Sequence, residues 1–381
     1  MKYLYRRSTR RQPFRISQVW SRISKKTTMQ TRSYSIHNLV GFQIKNSTGY
    51  TRQFFDTTQI QFRNFLSDNG SPYDFTVEIG PFSRQSRACA ITDDTYYISD
   101  NYMYFTDKRK LSSWEVEITN IEDSPAIRIA TNFVGNITAP LNLIEFFVQY
   151  CLLKKGVSVV HASAIGRNGK CILFPARSGG GKTTVALSLL EEGFSYLGDN
   201  YIILHKGIAR NYISPLNIFT YNRLPVVERN LTSRQRLSMF FKKRLYGITG
   251  GYFKIFEKIN PAGLFANLIE DDLDVGLICL LEVNCVPAGN ELSVKNISRG
   301  HLIRKLRYNM ELDMLTFSRY IYSYGYMFPN STLAGFWELY EQNLEQNLPA
   351  EVAAVSMNAP MHWTSSKIDK TVELIEDNLC P

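Results

Sequence analysis

The chain of 381 residues lacks several features, and each lack narrows its class. No two cysteines stand at CxxC spacing, and no His/Cys cluster has zinc-ligand spacing. The six cysteines (Cys89, Cys151, Cys171, Cys279, Cys285, Cys380) are scattered, several of them inside apolar runs such as CILF and LICLLEV, as buried thiols would be. No fixed-period repeat is visible. The most apolar segment, Leu141 to Leu153, carries Glu145 and Gln149 and is shorter than the roughly 20 apolar residues a bilayer crossing needs, so no transmembrane segment is expected. There is no apolar secretory core near the first residue, which makes a reducing cytoplasm the expected compartment.

Acidic residues are absent from the first 35 positions, which hold ten of the 44 Lys and Arg (Lys2, Arg6, Arg7, Arg10, Arg11, Arg15, Arg22, Lys25, Lys26, Arg32). The remaining 34 basic residues balance the 34 Asp and Glu, so the net charge of +10 belongs to a tail at residues 1–35. That tail is expected to be a disordered arm, an anionic-surface binder or a targeting segment, its Arg- and Ser-rich make-up resembling a mitochondrial transit peptide. The balanced body gives no reason to expect a specific nucleic-acid partner.

With 44% hydrophobic and 13% aromatic residues the body has the means to bury a core and to divide into domains. Residues 36–140 alternate apolar and polar positions in short runs (VGFQIK, DFTVEIG, ACAITDD, TYYISD, YMYFTD, WEVEITNI, AIRIATN), which predicts an antiparallel β-rich N-terminal domain. Leu141 to Lys154 has the spacing of an amphipathic helix ending before Gly156. The rest, residues 141–381, is expected to form a nucleotide-binding α/β domain with an insertion at about 207–270 and a mostly helical C-terminal part. Three weaker candidates lie there: the Lys242 to Arg244 run with Lys258, as an anion binder or a solvated face; Glu270 to Asp274, as a second metal ligand or a turn; and the aromatic RYIYSYGYMF, as core packing.

The densest signal is PARSGGGKTTVALSLL, residues 175–190. A phosphate loop needs backbone N–H groups able to face anionic oxygens, a helix start behind them, a lysine for the β- and γ-phosphates and a hydroxyl for Mg²⁺. Ser178, Gly179, Gly180, Gly181, Lys182, Thr183 and Thr184 supply all of these, with the strand CILFP before and a helix ending at Gly193 after. Measured against GxxxxGK[ST], Ala176 replaces the first glycine, which implies ordinary backbone angles there. The strand VSVVHASAIG precedes the loop strand through Asn168-Gly169, so the two must form an antiparallel hairpin.

Residues 159–204, VVHASAIGRNGKCILFPARSGGGKTTVALSLLEEGFSYLGDNYIIL, resemble the core of the HPr serine kinase/phosphorylase family and the wider phosphoenolpyruvate-carboxykinase-like superfamily. The shared pattern is a histidine on the first hairpin strand, a phosphate loop on the second, and an acidic site about fifteen residues later. The resemblance implies a mixed-sheet P-loop kinase core that uses ATP and Mg²⁺. It implies that Lys182 and Thr183 hold phosphates and metal, that Asp199 is the base or a metal ligand, and that His161 sits near the γ-phosphate. The implied acceptor bears a hydroxyl on a protein, a peptide or a small molecule. Asn200 stands where the family shows a second acid, so a catalytically impaired regulatory or scaffold protein is the alternative. A homo-oligomer is compatible with the sequence.

Overall fold

A computed structural model describes residues 29–48, 57–68, 72–93, 95–137, 139–219, 225–248, 256–283, 292–358 and 364–379. Most of the basic tail, the turn at Asn69 to Ser71, and Cys285 and Cys380 lie outside the described residues. The protein has a mixed α/β architecture, and its chain groups into two compact units.

The first unit draws on described residues within Met1–Ser35, Gly41–Thr58 and Ser67–Ile144. Its sheet has eight strands: β1 (Gln30–Ile36), β2 (Val40–Asn46), β3 (Phe75–Ile79), β4 (Ala90–Thr92), β5 (Tyr96–Ser99), β6 (Tyr102–Arg109), β7 (Ser112–Thr119) and β8 (Ala126–Thr131). They lie in the order β1-β2-β3-β8-β7-β6-β5-β4. Period-two patterning buries Phe75, Val77 and Ile79 on one face of β3, and Phe42 stacks on Phe75 at 4.9 Å between ring centroids. The sheet departs from the antiparallel expectation at β2–β3 and β3–β8, which pair in parallel. The reason is connection length: residues 47–74 leave ample chain for a crossover, whereas the tight turns from β4 to β8 permit only antiparallel neighbours.

The second unit comprises Ile36–Val40, Gln59–Leu66 and Glu145–Pro381, so it takes in two short N-terminal segments. Helix α1 (Ala139–Lys154), which enters this unit at Glu145, begins two residues before the sequence expectation and is followed by Gly156, whose φ of 74° suits glycine. Next come β9 (Ser158–Val160), β10 (Ala162–Arg167), β11 (Lys170–Pro175), helix α2 (Lys182–Leu189), β12 (Ser195–Gly198), β13 (Ile202–His205) and β14 (Ile208–Asn211). Strands β15 (Leu216–Phe219) and β16 (Phe256–Ile259) pair only with each other and flank helix α3 (Ser233–Ile248). β14, which falls within the span 207–270 expected to be an insertion, belongs to the main sheet. The chain closes with β17 (Asp272–Glu282), β18 (Val294–Asn296), α4 (Arg299–Asp313), α5 (Leu315–Met327), α6 (Phe336–Asn347), β19 (Ala353–Asn358) and α7 (Ser365–Leu379).

The expected single strand VSVVHASAIG is broken at His161, and the strand FSYLGDNYIILH is broken at Asp199 to Tyr201. The broken halves keep the same partner: β10 pairs β12 and β9 pairs β13, both antiparallel. Since β13 pairs β14, β14 pairs β17, β17 pairs β11 and β11 pairs β10, the ladder returns to its starting strand. The pairings therefore form a closed circuit of five chain segments. A closed circuit needs sharp bends, and the two breaks supply them where they face each other, with the Ala162 amide donating to the Asn200 carbonyl at 3.1 Å. Asn200 holds a φ of 75°, a left-handed conformation that asparagine tolerates better than most residues.

Asn168 and Gly169, with φ of 53° and 75°, make the tight turn that sets Arg167 opposite Lys170. Inside, Ile172 and Phe174 of β11, Val185, Ala186 and Leu189 of α2, and Leu277 and Cys279 of β17 are fully or nearly fully buried together. Each large aliphatic or aromatic side chain of this kind contributes about 1.5–3 kcal/mol by leaving water, so the glycine loop is mounted on a buried apolar core. Behind α1, Phe146 packs on Phe317 and Phe336 at 5.3 and 6.0 Å. From the aromatic run on α5, Tyr320 and Tyr324 are buried, while Tyr322 and Tyr326 remain exposed.

Candidate functional site

Residues 176–181 connect β11 to α2. Gly179 and Gly181 have φ of 85° and 83°, a region that L side chains enter at a cost of about 1–2 kcal/mol. Gly181 is the N-cap of α2 and has no side chain to satisfy the first-turn amides, so the N–H groups at the start of α2 are left for an external acceptor. Ser178 and Gly179 are exposed, as phosphate-facing residues must be, and a Cβ at Gly179 would meet no atom within 4 Å. Gly180 differs. Its amide donates to the Arg177 carbonyl at 2.8 Å, and a Cβ on it would lie 2.8 Å from the Ala176 Cβ and 3.0 Å from the Arg177 carbonyl oxygen. Ala176 is 2% exposed and is not among the residues with positive φ, so the alanine seats the loop in the core and leaves the bending to the glycines.

Lys182 is 8% exposed. No hydrogen bond holds its amine among the described residues. Burial lowers its pKa, the carboxylates of Asp199 and Asp313 oppose that shift, and the Arg177 guanidinium adds to it. A desolvated amine with no neutral partner, beside a helix start, is a ready receptor for an anion.

Thr183, the next residue, donates from Oγ1 to both oxygens of Asp199, at 3.1 and 3.0 Å. Asp199 is 4% exposed and also accepts a hydrogen bond from Ser163 Oγ. The strand break after Gly198 brings this carboxylate under the loop. Thr184 is partly buried on the same helical turn. A hydroxyl and a carboxylate in contact are a hard-oxygen pair suited to Mg²⁺, which keeps several waters and takes only one or two protein ligands beside substrate phosphates. No group of three or more metal-ligating side chains occurs among the described residues, so any metal here would depend on those further oxygens.

His161, at the other break, is 5% exposed, and its Nδ1 has no hydrogen-bond partner. That atom lies 3.5 Å from Asp313 Oδ1. Burial, the dominant cause, lowers its pKa to about 4; the charges of Lys182 and Arg177 push the same way, and Asp313 opposes them. At neutral pH the ring is therefore uncharged.

Sequence reading missed a second tier of residues that the tertiary fold delivers. Asp313, the last residue of α4, accepts a 2.6 Å hydrogen bond from the Tyr201 hydroxyl. Asn309, one turn earlier, donates to the His161 carbonyl at 2.9 Å, and its own carbonyl accepts from Arg177 at 3.1 Å. The end of α4 is thus tied to the loop and to the strand break. On α1, Glu145 accepts from Gln61 at 2.8 Å, and burial raises its carboxyl to about 7 against the opposing charge of Lys258, with Asp313 adding to the rise. Ser163 carried a signal, because it shares a strand face with His161 two residues earlier. Asp313 carried none, being more than a hundred residues from the loop. Asp271 of the acidic run accepts from Asn211 at 3.1 Å, as a turn residue does, and Arg244 of the basic run lies over the Phe240 ring at 5.1 Å.

No protein-family model matches the chain, and no curated protein matches its sequence. Among solved structures, the HPr(Ser) kinase/phosphatase from Coxiella burnetii aligns with 42% of this chain and 94% of its own, at 14% identity and a TM-score of 0.20. A likeness at that level carries no argument, and the site stands on its own geometry. No described helix is long and apolar enough to cross a membrane.

Proposed function

We propose that this protein is an ATP-dependent phosphotransferase that moves a phosphoryl group to a hydroxyl acceptor, with its active site at the Ser178 to Thr184 loop. The observation that carries the reading is the buried, hydrogen-bond-free Lys182 amine beside a helix start, with Thr183 and Asp199 in contact next to it. The resemblance of residues 159–204 to the HPr serine kinase family supports the same chemistry.

In this reading the left-handed glycines and the first-turn amides of α2 hold the phosphates of ATP, and Lys182 adds the positive charge that the β- and γ-phosphates need. Thr183 and Asp199 would hold Mg²⁺, which when bound supplies the charge neutralisation that phosphoryl transfer requires. Asp199 has a second task available, to orient the acceptor hydroxyl and take its proton, because its carboxylate already gathers hydroxyl donors from Ser163 and Thr183. Neutral His161 is placed to donate or accept a hydrogen bond through the unpartnered Nδ1 without bringing a further charge. The acceptor is a hydroxyl on a protein, a peptide or a small molecule.

A second reading, a nucleotide-binding regulator without catalysis, rests on Asn200. It stands where the family pattern has another acid and is occupied as a backbone brace, left-handed and bonded through its carbonyl to Ala162. Calorimetric titration of MgATP into the protein and into Lys182→Ala tests both. Micromolar binding that disappears in the variant is expected, and affinity unchanged by the substitution would sink both readings. Transfer of labelled phosphate to a panel of serine-containing acceptors then separates kinase from regulator.

A further inference from the structure

Helix α3 joins two properties that rarely share one surface helix. Leu237, Phe240, Phe241 and Ile248 are 57, 49, 59 and 84% exposed. At 100° per residue three of them project opposite Met239, which is 2% exposed and anchors the helix, and Phe240 flanks the same side. They form an apolar ridge that remains exposed among the described residues. The same helix carries Arg234, Arg236, Lys242, Lys243 and Arg244 and no acidic residue. Arg236 is committed to the carbonyls of Leu231 and Glu228, at 3.2 and 2.9 Å. Arg234, Lys243 and Arg244 have no carboxylate partner among the described residues, and all three are exposed.

An apolar ridge in water is unfavourable unless something covers it, and single-sign charge along its sides selects what that is. A protein partner would need a groove lined with acids, whereas an anionic lipid interface offers an apolar layer and a sheet of phosphates together. Lys and Arg stems can lie along the ridge while their heads reach the phosphates. The first 35 residues add ten cations and no acid, a second signal of the same sign.

We propose that α3 docks this protein on an anionic membrane surface, with Leu237, Phe240, Phe241 and Ile248 inserted at the headgroup boundary and Arg234 and Arg244, which flank the ridge on either side, on lipid phosphates. The docking does not depend on the phosphotransferase reading.

Co-sedimentation of the full chain with vesicles tests it, using phosphatidylcholine alone and a mixture of three parts phosphatidylcholine to one part phosphatidylserine. Retention is expected only on the mixture, weakening as salt rises. The Leu237→Glu/Phe241→Glu and Arg234→Glu/Arg244→Glu variants should each lower the partition roughly tenfold or more. Every substituted side chain is exposed, so both variants should melt with the parent by circular dichroism. Absence of binding to either vesicle overturns the proposal, as does equal binding to pure phosphatidylcholine. Binding that survives both variants overturns it in favour of the N-terminal tail. Retention of soluble polyglutamate but not of vesicles overturns it in favour of an acidic protein partner.

Discussion

Glu145 and His161 carry opposite pH dependences, and one near-isosteric substitution in each would expose them. The Glu145 carboxyl is raised from 4.5 to about 7, first by burial. A folded-state value above the unfolded one means that the native state binds the proton more tightly. The resulting stability is full below about pH 4.5 and is lost as pH rises through about 7. At about 1.4 kcal/mol per pH unit the interval corresponds to roughly 3 kcal/mol, and the partial accessibility of the side chain reduces this to about 2 kcal/mol. His161 runs the other way. Its value falls from 6.5 to about 4, so the unfolded chain takes the proton first, and stability present above 6.5 is lost as pH falls toward 4. That term is worth roughly 3 kcal/mol, and in the parent protein the two largely offset each other. The assay is urea unfolding followed by intrinsic fluorescence, at intervals from about pH 4 to about pH 8. On acidification the stability of Glu145→Gln relative to the parent should fall by about 2 kcal/mol, while that of His161→Gln should rise by roughly 3 kcal/mol. Difference curves that stay flat, or that slope the same way, would refute the claim that these two groups lie in a shared desolvated site.

Other substitutions address the loop and the second tier. Asp199→Asn should keep MgATP affinity and lower transfer roughly a hundredfold or more, measured by single-turnover phosphate transfer; retained transfer would remove Asp199 from the role of base. Gly180→Ala should cost about 1–3 kcal/mol in unfolding free energy and weaken MgATP binding, because the new Cβ would lie 2.8 Å from the Ala176 Cβ; a parental melting curve would show that the loop gives way. Asp313→Asn removes the charge that supports protonation of both His161 and Lys182, so His161 should titrate lower still by NMR, and an upward move would contradict the assigned contact.

The local parts of this protein were legible in the sequence because their causes are local. Alternating apolar positions foretold strands in the first unit, Asn168-Gly169 foretold the hairpin, and GGGKT stands between a strand and a helix as expected. Where chain connectivity decides, the reading failed: β2, β3 and β8 pair in parallel, and β14 joins the main sheet inside a span expected to be an insertion. Periodicity reports which face of a strand is buried and is silent about its neighbour.

The candidate site divides along the same line. Lys182, Thr183 and Asp199 could be named because the loop and the strand after it lie within twenty residues of each other. That the breaks at Asp199 and His161 face each other follows only from the pairing of β10 with β12 and of β9 with β13, which neither strand's own sequence displays. Asp313 and Asn309 join the site through the packing of α4, and no spacing rule links a helix end to a loop more than a hundred residues away. Sequence alone determined which side chains are candidates for phosphate binding. Tertiary structure decided which of them lose their water, and with it the charge states on which that chemistry depends.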